Sequence, residues 1–123
     1  MCVVVAKHFA ETGWVLAKNR DRNYLPTIKM VQTTRGGVER LYLHDKQTGY
    51  SEGINEHGIA IVSAAVAVKT DEKEGAAKKS AVNGTSPDGK RIRAALLENT
   101  VDKAVKKLID SKIPGNTFVK DGK

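Results

Sequence analysis

Cys2-Val3-Val4-Val5-Ala6, directly behind Met1, is a short, continuous run of small and β-branched residues. Its length and branching predict a buried strand. Glu11-Thr12-Gly13 reads as a turn, and Trp14-Val15-Leu16-Ala17 as a second strand paired with the first in a hairpin. Asn19-Arg20-Asp21-Arg22-Asn23 then forms a loop at the strand end, where a rigid sheet can hold functional side chains. Cys2 is the sole cysteine and stands at the head of this hairpin. Either it starts a buried strand as a small apolar residue, or it is a nucleophile that must be the first residue.

Beyond the hairpin, Thr27 to Thr34 predicts a third strand, Gly36-Gly37 a tight turn, and Val38 to His44 a fourth strand with Leu41 and Leu43 on one face. A turn around Asp45 to Gly49 leads to Gly53-Ile54-Asn55-Glu56-His57-Gly58, and Ile59 to Val68 reads as a central strand. Lys69 to Thr85 is charged and nearly free of large apolar residues, so it reads as an exposed excursion. Ser86-Pro87 starts a helix with Ser as N-cap and Pro at the first position; Ile92, Ala95 and Leu96 follow at helical spacing. Thr100 caps a second helix, with Val101, Ala104, Val105, Leu108 and Ile109 on one stripe, and Pro114-Gly115 ends it. Thr117-Phe118-Val119 opens another strand before a turn at Asp121-Gly122. The 123 residues thus read as one domain over 1–123, with strands within 2–68, a loop over 69–85, helices over 86–112 and a further strand beginning within 116–123. Asp-Gly is a strong hairpin signal without a strand after it, so the expected fold is incomplete by itself.

Composition narrows the function. Apolar residues are 40% and charged residues 28%, as in a globular protein. The net charge of +7 would suit an anionic partner, but the lysines are scattered and aromatics are only 5%. No nucleic-acid module or stacking platform is evident, so no nucleic-acid partner is expected. One cysteine cannot form an internal disulfide or a cysteine metal site, and His8, His44 and His57 lack ligand spacing, so neither metal nor cofactor is expected. The opening apolar run is too short for a signal h-region or a membrane span, which makes the cytoplasm the expected compartment and excludes a membrane partner.

If Met1 is removed, Cys2 carries a thiol and a free α-amine in one residue. A thiol titrates near about 8.5 and an α-amine near about 7.7–8, so the neutral amine can accept the thiol proton and later protonate a leaving group. The chemistry is acyl transfer: attack on a carbonyl, a thioester, then release to water or another acceptor. Asp21, at the end of the second strand, can hold the amine, and Arg20 can contact substrate or close a charge network with Asp21. Backbone N–H groups and amide side chains are the usual oxyanion donors.

These residues carry a resemblance. Met1-Cys2 before a β-run, followed by Gly13 and Val15-Leu16-Ala17-Lys18-Asn19-Arg20-Asp21, resembles the N-terminal nucleophile hydrolases of the choloylglycine hydrolase and penicillin acylase group, including the acyl-CoA:6-aminopenicillanic acid acyltransferases. The Asn-Arg-Asp version also resembles NRDE-type proteins of the transport-and-Golgi-organisation family, with Arg22 where that motif has Glu. Gly53-Ile54-Asn55-Glu56-His57-Gly58-Ile59-Ala60 is similar to the glycine block that these families carry before a core strand. The resemblance implies an α+β fold, an αββα sandwich of antiparallel sheets, of which this chain would be the N-terminal part.

It also implies a hydrolase or acyltransferase acting on a linear amide bond of a small-molecule amide or acyl substrate. Cys2 matches the nucleophile and Asp21 the acidic partner of its amine, with Arg20 as a further catalytic candidate. Lys18, Asn19 and Ser63 are candidate substrate-binding residues. Lys18 and Arg20 straddle the family's basic position. The family's oxyanion asparagine falls near Ala65, where no amide side chain stands, leaving Ser63 or a backbone N–H as a substitute. A second polypeptide or a second copy would complete the fold. The competing expectation is a catalytically inactive fragment of the same fold, acting as a structural or binding partner.

Overall fold

The computed structural model describes residues 2–22, 24–64, 86–113 and 116–121. The expected loop over 69–85, the continuation of the central strand over 65–68, the Pro114-Gly115 stop and Gly122 lie outside them.

Strands β1 (Val3–Phe9) and β2 (Gly13–Asn19) form an antiparallel hairpin, with Phe9 facing Gly13 and Val3 facing Asn19. Gly13 takes φ 77° after the three-residue connection. That left-handed geometry favours glycine and closes a three-residue loop. A second sheet contains β3 (Ile28–Arg35), β4 (Val38–Asp45), β5 (Ser51–Asn55), β6 (Ala60–Ala64) and β7 (Asn116–Lys120), in that order and antiparallel throughout. Gly36 and Gly37 both have positive φ, as a two-residue primed turn between β3 and β4 requires. Helices α1 (Pro87–Ala95) and α2 (Val101–Asp110) connect β6 to β7.

Side-chain alternation sorts this sheet into two faces. Ile59 and Ile61 pack with Ile92, Ala95, Leu96, Ala104 and Leu108, so the helix pair covers one face. Met30, Leu41, Leu43, Ile54, Ala60 and Val62 turn to the other face, over which the hairpin lies across β6. The layers run hairpin, five-stranded sheet, helix pair. The hairpin sends Trp14, Leu16 and Lys18 toward the sheet. Its outer face carries Val3 and Val5, exposed at 52% and 55%. The buried strand expected over residues 2–6 is therefore corrected: the strand exists, but no described residue covers its outer side.

Both helix starts fall where the sequence places them, by different means. Thr100 caps α2 by accepting the Lys103 N–H at 3.4 Å. Ser86 makes no side-chain cap; its N–H instead donates to the Thr48 carbonyl at 2.7 Å, tying α1 to the β4–β5 turn. Arg93 extends that tie, donating to the Gly49 carbonyl at 3.0 Å and to Ser51 Oγ at 2.6 Å. His44 Nδ1 lies 3.2 Å from the same hydroxyl. Burial, and then the charge of Arg93, hold the His44 pKa below the ordinary 6.5, despite opposition from Asp45. Folding thus favours neutral His44. Its contribution is complete above pH 6.5 and is lost as pH falls through the lower folded value. Thermal melts between pH 8 and 5 should show wild type losing more stability on acidification than His44→Asn; parallel pH curves would disprove this coupling.

Candidate active site

The hairpin register carries Cys2, one residue beyond the Val3–Asn19 pair, to the level of Arg20. Cys2 Sγ is half-buried and 3.9 Å from the Asp21 carbonyl oxygen, a weak S–H contact. The Asp21 carboxyl titrates below its ordinary range, because it accepts a hydrogen bond from the chain's amino terminus and lies in that terminus's positive field. Cys2 and Asp21 thus meet at one end of the hairpin.

Behind this corner sits a buried polar cluster. Glu52, on β5, accepts Lys18 Nζ on one carboxylate oxygen and Arg20 on the other, from Nε at 3.2 Å and Nη2 at 3.0 Å. The Ser63 N–H reaches the Lys18-bound oxygen at 3.4 Å. Side-chain exposure is 7% for Glu52, 5% for Lys18 and 15% for Arg20. Lys18 also donates to the Ser63 carbonyl, which accepts Tyr50 Oη at 3.1 Å. The Tyr50 ring faces three cations: Lys18, Arg20 and Arg22 lie 5.3, 5.5 and 5.8 Å from its centroid. Burial pushes the Tyr50 hydroxyl up to about 12, so it stays a donor at neutral pH. Removing one member of a buried ion pair typically costs about 3–5 kcal/mol, since the other charge is left without compensation.

The loop between β2 and β3 is anchored separately. Tyr24 Oη donates to Asp45 Oδ2 at 2.5 Å, while Asp45 Oδ1 accepts the Gln47 and Thr48 N–H groups at 2.9 and 3.4 Å. This fixes the segment carrying Asp21 and Arg22 to the β4–β5 turn.

Beside the cluster opens a groove of about 510 Å³ between hairpin and sheet. Trp14, Leu16, Met30, Leu41, Leu43 and Val62 give it apolar walls, and Lys18, Arg20 and Glu52 form a charged end. A volume of this size suits a small organic molecule with an apolar body.

Of the sequence candidates, Cys2 meets the Asp21 carbonyl, while Lys18 and Arg20 both meet Glu52. Asn19 lies on the exposed outer side of β2. Ser63 is 1% exposed; its Oγ accepts from Thr117 at 3.2 Å and its N–H is taken by Glu52. Ser63, the substitute expected for the oxyanion donor, is thus bonded within the sheet, and the position near Ala65 lies outside the described residues. Asn55, within the glycine block, binds protein groups on all sides and contributes nothing to the groove. Glu52 and Tyr50 were missed by sequence reasoning; Glu52 stands immediately before Gly53, and its charged partners are more than thirty positions away.

Among the described residues no group of His, Cys, Asp and Glu could hold a metal ion, and no helix is long and apolar enough to cross a membrane. The chain matches no protein-family model, no curated protein and no solved structure.

Proposed function

We propose that the chain is an N-terminal cysteine hydrolase or acyltransferase acting on a linear amide bond in the cytoplasm. The observation that carries this reading is at the hairpin end: Cys2 Sγ lies 3.9 Å from the Asp21 carbonyl oxygen, and the positive amino terminus lowers the Asp21 carboxyl pKa. With Met1 removed, the terminal amine becomes that of Cys2. The amine takes the thiol proton, and sulfur attacks the amide carbon. The resulting ammonium protonates the leaving nitrogen as the C–N bond breaks, leaving a thioester. Water, or an acceptor amine, then attacks the thioester; its proton passes to the terminal amine and returns to sulfur as the acyl group leaves. The apolar walls of the groove suit the acyl portion of such a substrate. The layer order of hairpin, antiparallel sheet and helix pair supports the fold half of the reading, being compatible with part of an αββα sandwich.

The test needs no substrate. Intact mass should show Met1 absent, and iodoacetamide should alkylate native Cys2 faster than the same thiol in urea-unfolded protein. A retained Met1 together with alkylation no faster than in the unfolded chain would sink the proposal.

One observation favours a second reading, a catalytically inactive Ntn-type module that serves as a binding partner. The Ser63 N–H points to Glu52 and the Oγ of this 1% exposed residue is bonded to Thr117, so the substitute oxyanion donor is held within the sheet. Under either reading, a second polypeptide or a second copy would cover the open apolar faces of hairpin and sheet. Size measurement in solution with mass spectrometry distinguishes these partners, and a monomer at high concentration would exclude self-association.

A further inference from the structure

We infer that Glu52 is the positioning residue of this corner: by clasping Lys18 and Arg20 on its two oxygens, it fixes the end of β2 and so sets Asp21 against Cys2. The inference rests on the proposed catalytic role for its consequence, but not for its geometry.

Three observations carry it. Glu52 meets both cations that bracket Asn19, one on each carboxylate oxygen, so the end of β2 is held at two points. Asp21 is the next residue after Arg20, and its carbonyl oxygen lies 3.9 Å from Cys2 Sγ. Glu52 itself cannot drift, because β5 lies between β4 and β6 and the Ser63 N–H holds the oxygen that Lys18 uses. Tyr24 ties the following loop to the β4–β5 turn through Asp45, but Glu52 is the carboxylate that holds both cations at the end of β2 itself. Lys18 has a second polar tie to the sheet, the Ser63 carbonyl, but that bond holds Lys18 alone, while the apolar packing toward Trp14 and Leu16 presses the layers together without fixing an azimuth or a height. Both guanidinium geometry and the paired cations supply that missing direction. Arg20 and Arg22, on either side of the exposed Asp21, also lie 5.5 and 5.8 Å from the Tyr50 ring centroid, a further tie of this segment to the sheet.

The experiment compares wild type, Glu52→Gln and Glu52→Asp as full chains with intact far-UV circular dichroism. Two quantities are read: the Asp21 titration midpoint by carboxyl-carbon NMR, and the iodoacetamide rate of Cys2. Glu52→Gln is expected to raise the Asp21 midpoint toward the ordinary carboxylate value and to slow Cys2 alkylation by roughly 10- to 100-fold. Glu52→Asp keeps the buried charge, and with it the fold, but its shorter arm cannot span both cations. It should move both readouts in the same sense by less, and it decides the matter if Glu52→Gln does not fold. A merely structural Glu52 would lower the melting temperature and leave both readouts in place; that result overturns the inference. If wild-type Cys2 reacts no faster than in the unfolded chain, the catalytic reading fails by itself. The Asp21 midpoint then decides on Glu52 alone: a rise upholds the positioning role, and no change overturns it.

Discussion

Gly89→Ala is expected to destabilise the protein by about 3 kcal/mol, although alanine is the better helix former. Gly89 lies in the first turns of α1 and is buried against the β4–β5 turn. A Cβ there would come within 2.9 Å of the Gly49 carbonyl carbon and the Tyr50 Cα, with the Gly49 oxygen closer still. These are backbone atoms, so no side chain can swing aside. Either α1 lifts or the turn shifts. Both movements strain the Ser86 N–H bond to Thr48 and the Arg93 bond to Gly49. Helix propensity alone would favour alanine by about 1 kcal/mol, while overpacking a tight contact costs about 1–3 kcal/mol and occasionally more. Backbone-on-backbone contact with two dependent hydrogen bonds belongs at the upper end. Thermal denaturation should show a drop of roughly 10 °C for a chain of this size. A variant equal to or more stable than wild type would show that the α1–turn approach is looser than described.

Asn55→Ala should cost at least as much, about 3–4 kcal/mol, by a different route. The buried Asn55 side chain donates from Nδ2 to the Leu96 and Glu98 carbonyls at 3.1 and 2.8 Å. Its Oδ1 accepts the His57 and Ile59 N–H groups, each at 3.0 Å. One amide thus closes the β5–β6 turn and terminates α1. Its orientation is unambiguous, because two donors lie on one side and two acceptors on the other. Alanine strands these groups, each costing about 1–3 kcal/mol where buried, less what water recovers. Asn55→Asp separates the two halves. It keeps the acceptor for the turn but sets a carboxylate against two carbonyls. It should therefore be about as damaging as alanine at pH 7 and recover on acidification, when the carboxyl can donate. Near-wild-type stability of Asn55→Asp at neutral pH would show that the helix-end bonds contribute little.

Those two residues show where the sequence could be read and where it could not. The hairpin was legible because β-prone runs flank Glu11-Thr12-Gly13, and β3, β4 and both helices because their apolar spacing and start residues agree. Strand β5 was not assigned. Ser51-Glu52-Gly53-Ile54-Asn55 lacks apolar alternation, yet Ser51, Glu52 and Asn55 are buried. Their burial is met by Arg93, by Lys18 with Arg20, and by the end of α1, all remote in sequence. Hydrophobic periodicity detects burial through apolar residues, so a strand buried through polar bonds escapes it. The same cause hid Glu52. The resemblance set Lys18 and Arg20 on either side of one basic position, whereas the fold directs both to a single carboxylate.

The placement of Trp14 has a practical outcome. It is the chain's only tryptophan, and its indole forms part of the groove wall, edge-on to His8 with ring centroids 5.3 Å apart and with Lys120 Nζ 5.1 Å from its centroid. An acyl compound settling in the groove would displace water from that indole and shift its emission toward the blue. Unlabelled protein is therefore its own optical gauge for screening amides, with no tag and no second fluorophore to subtract.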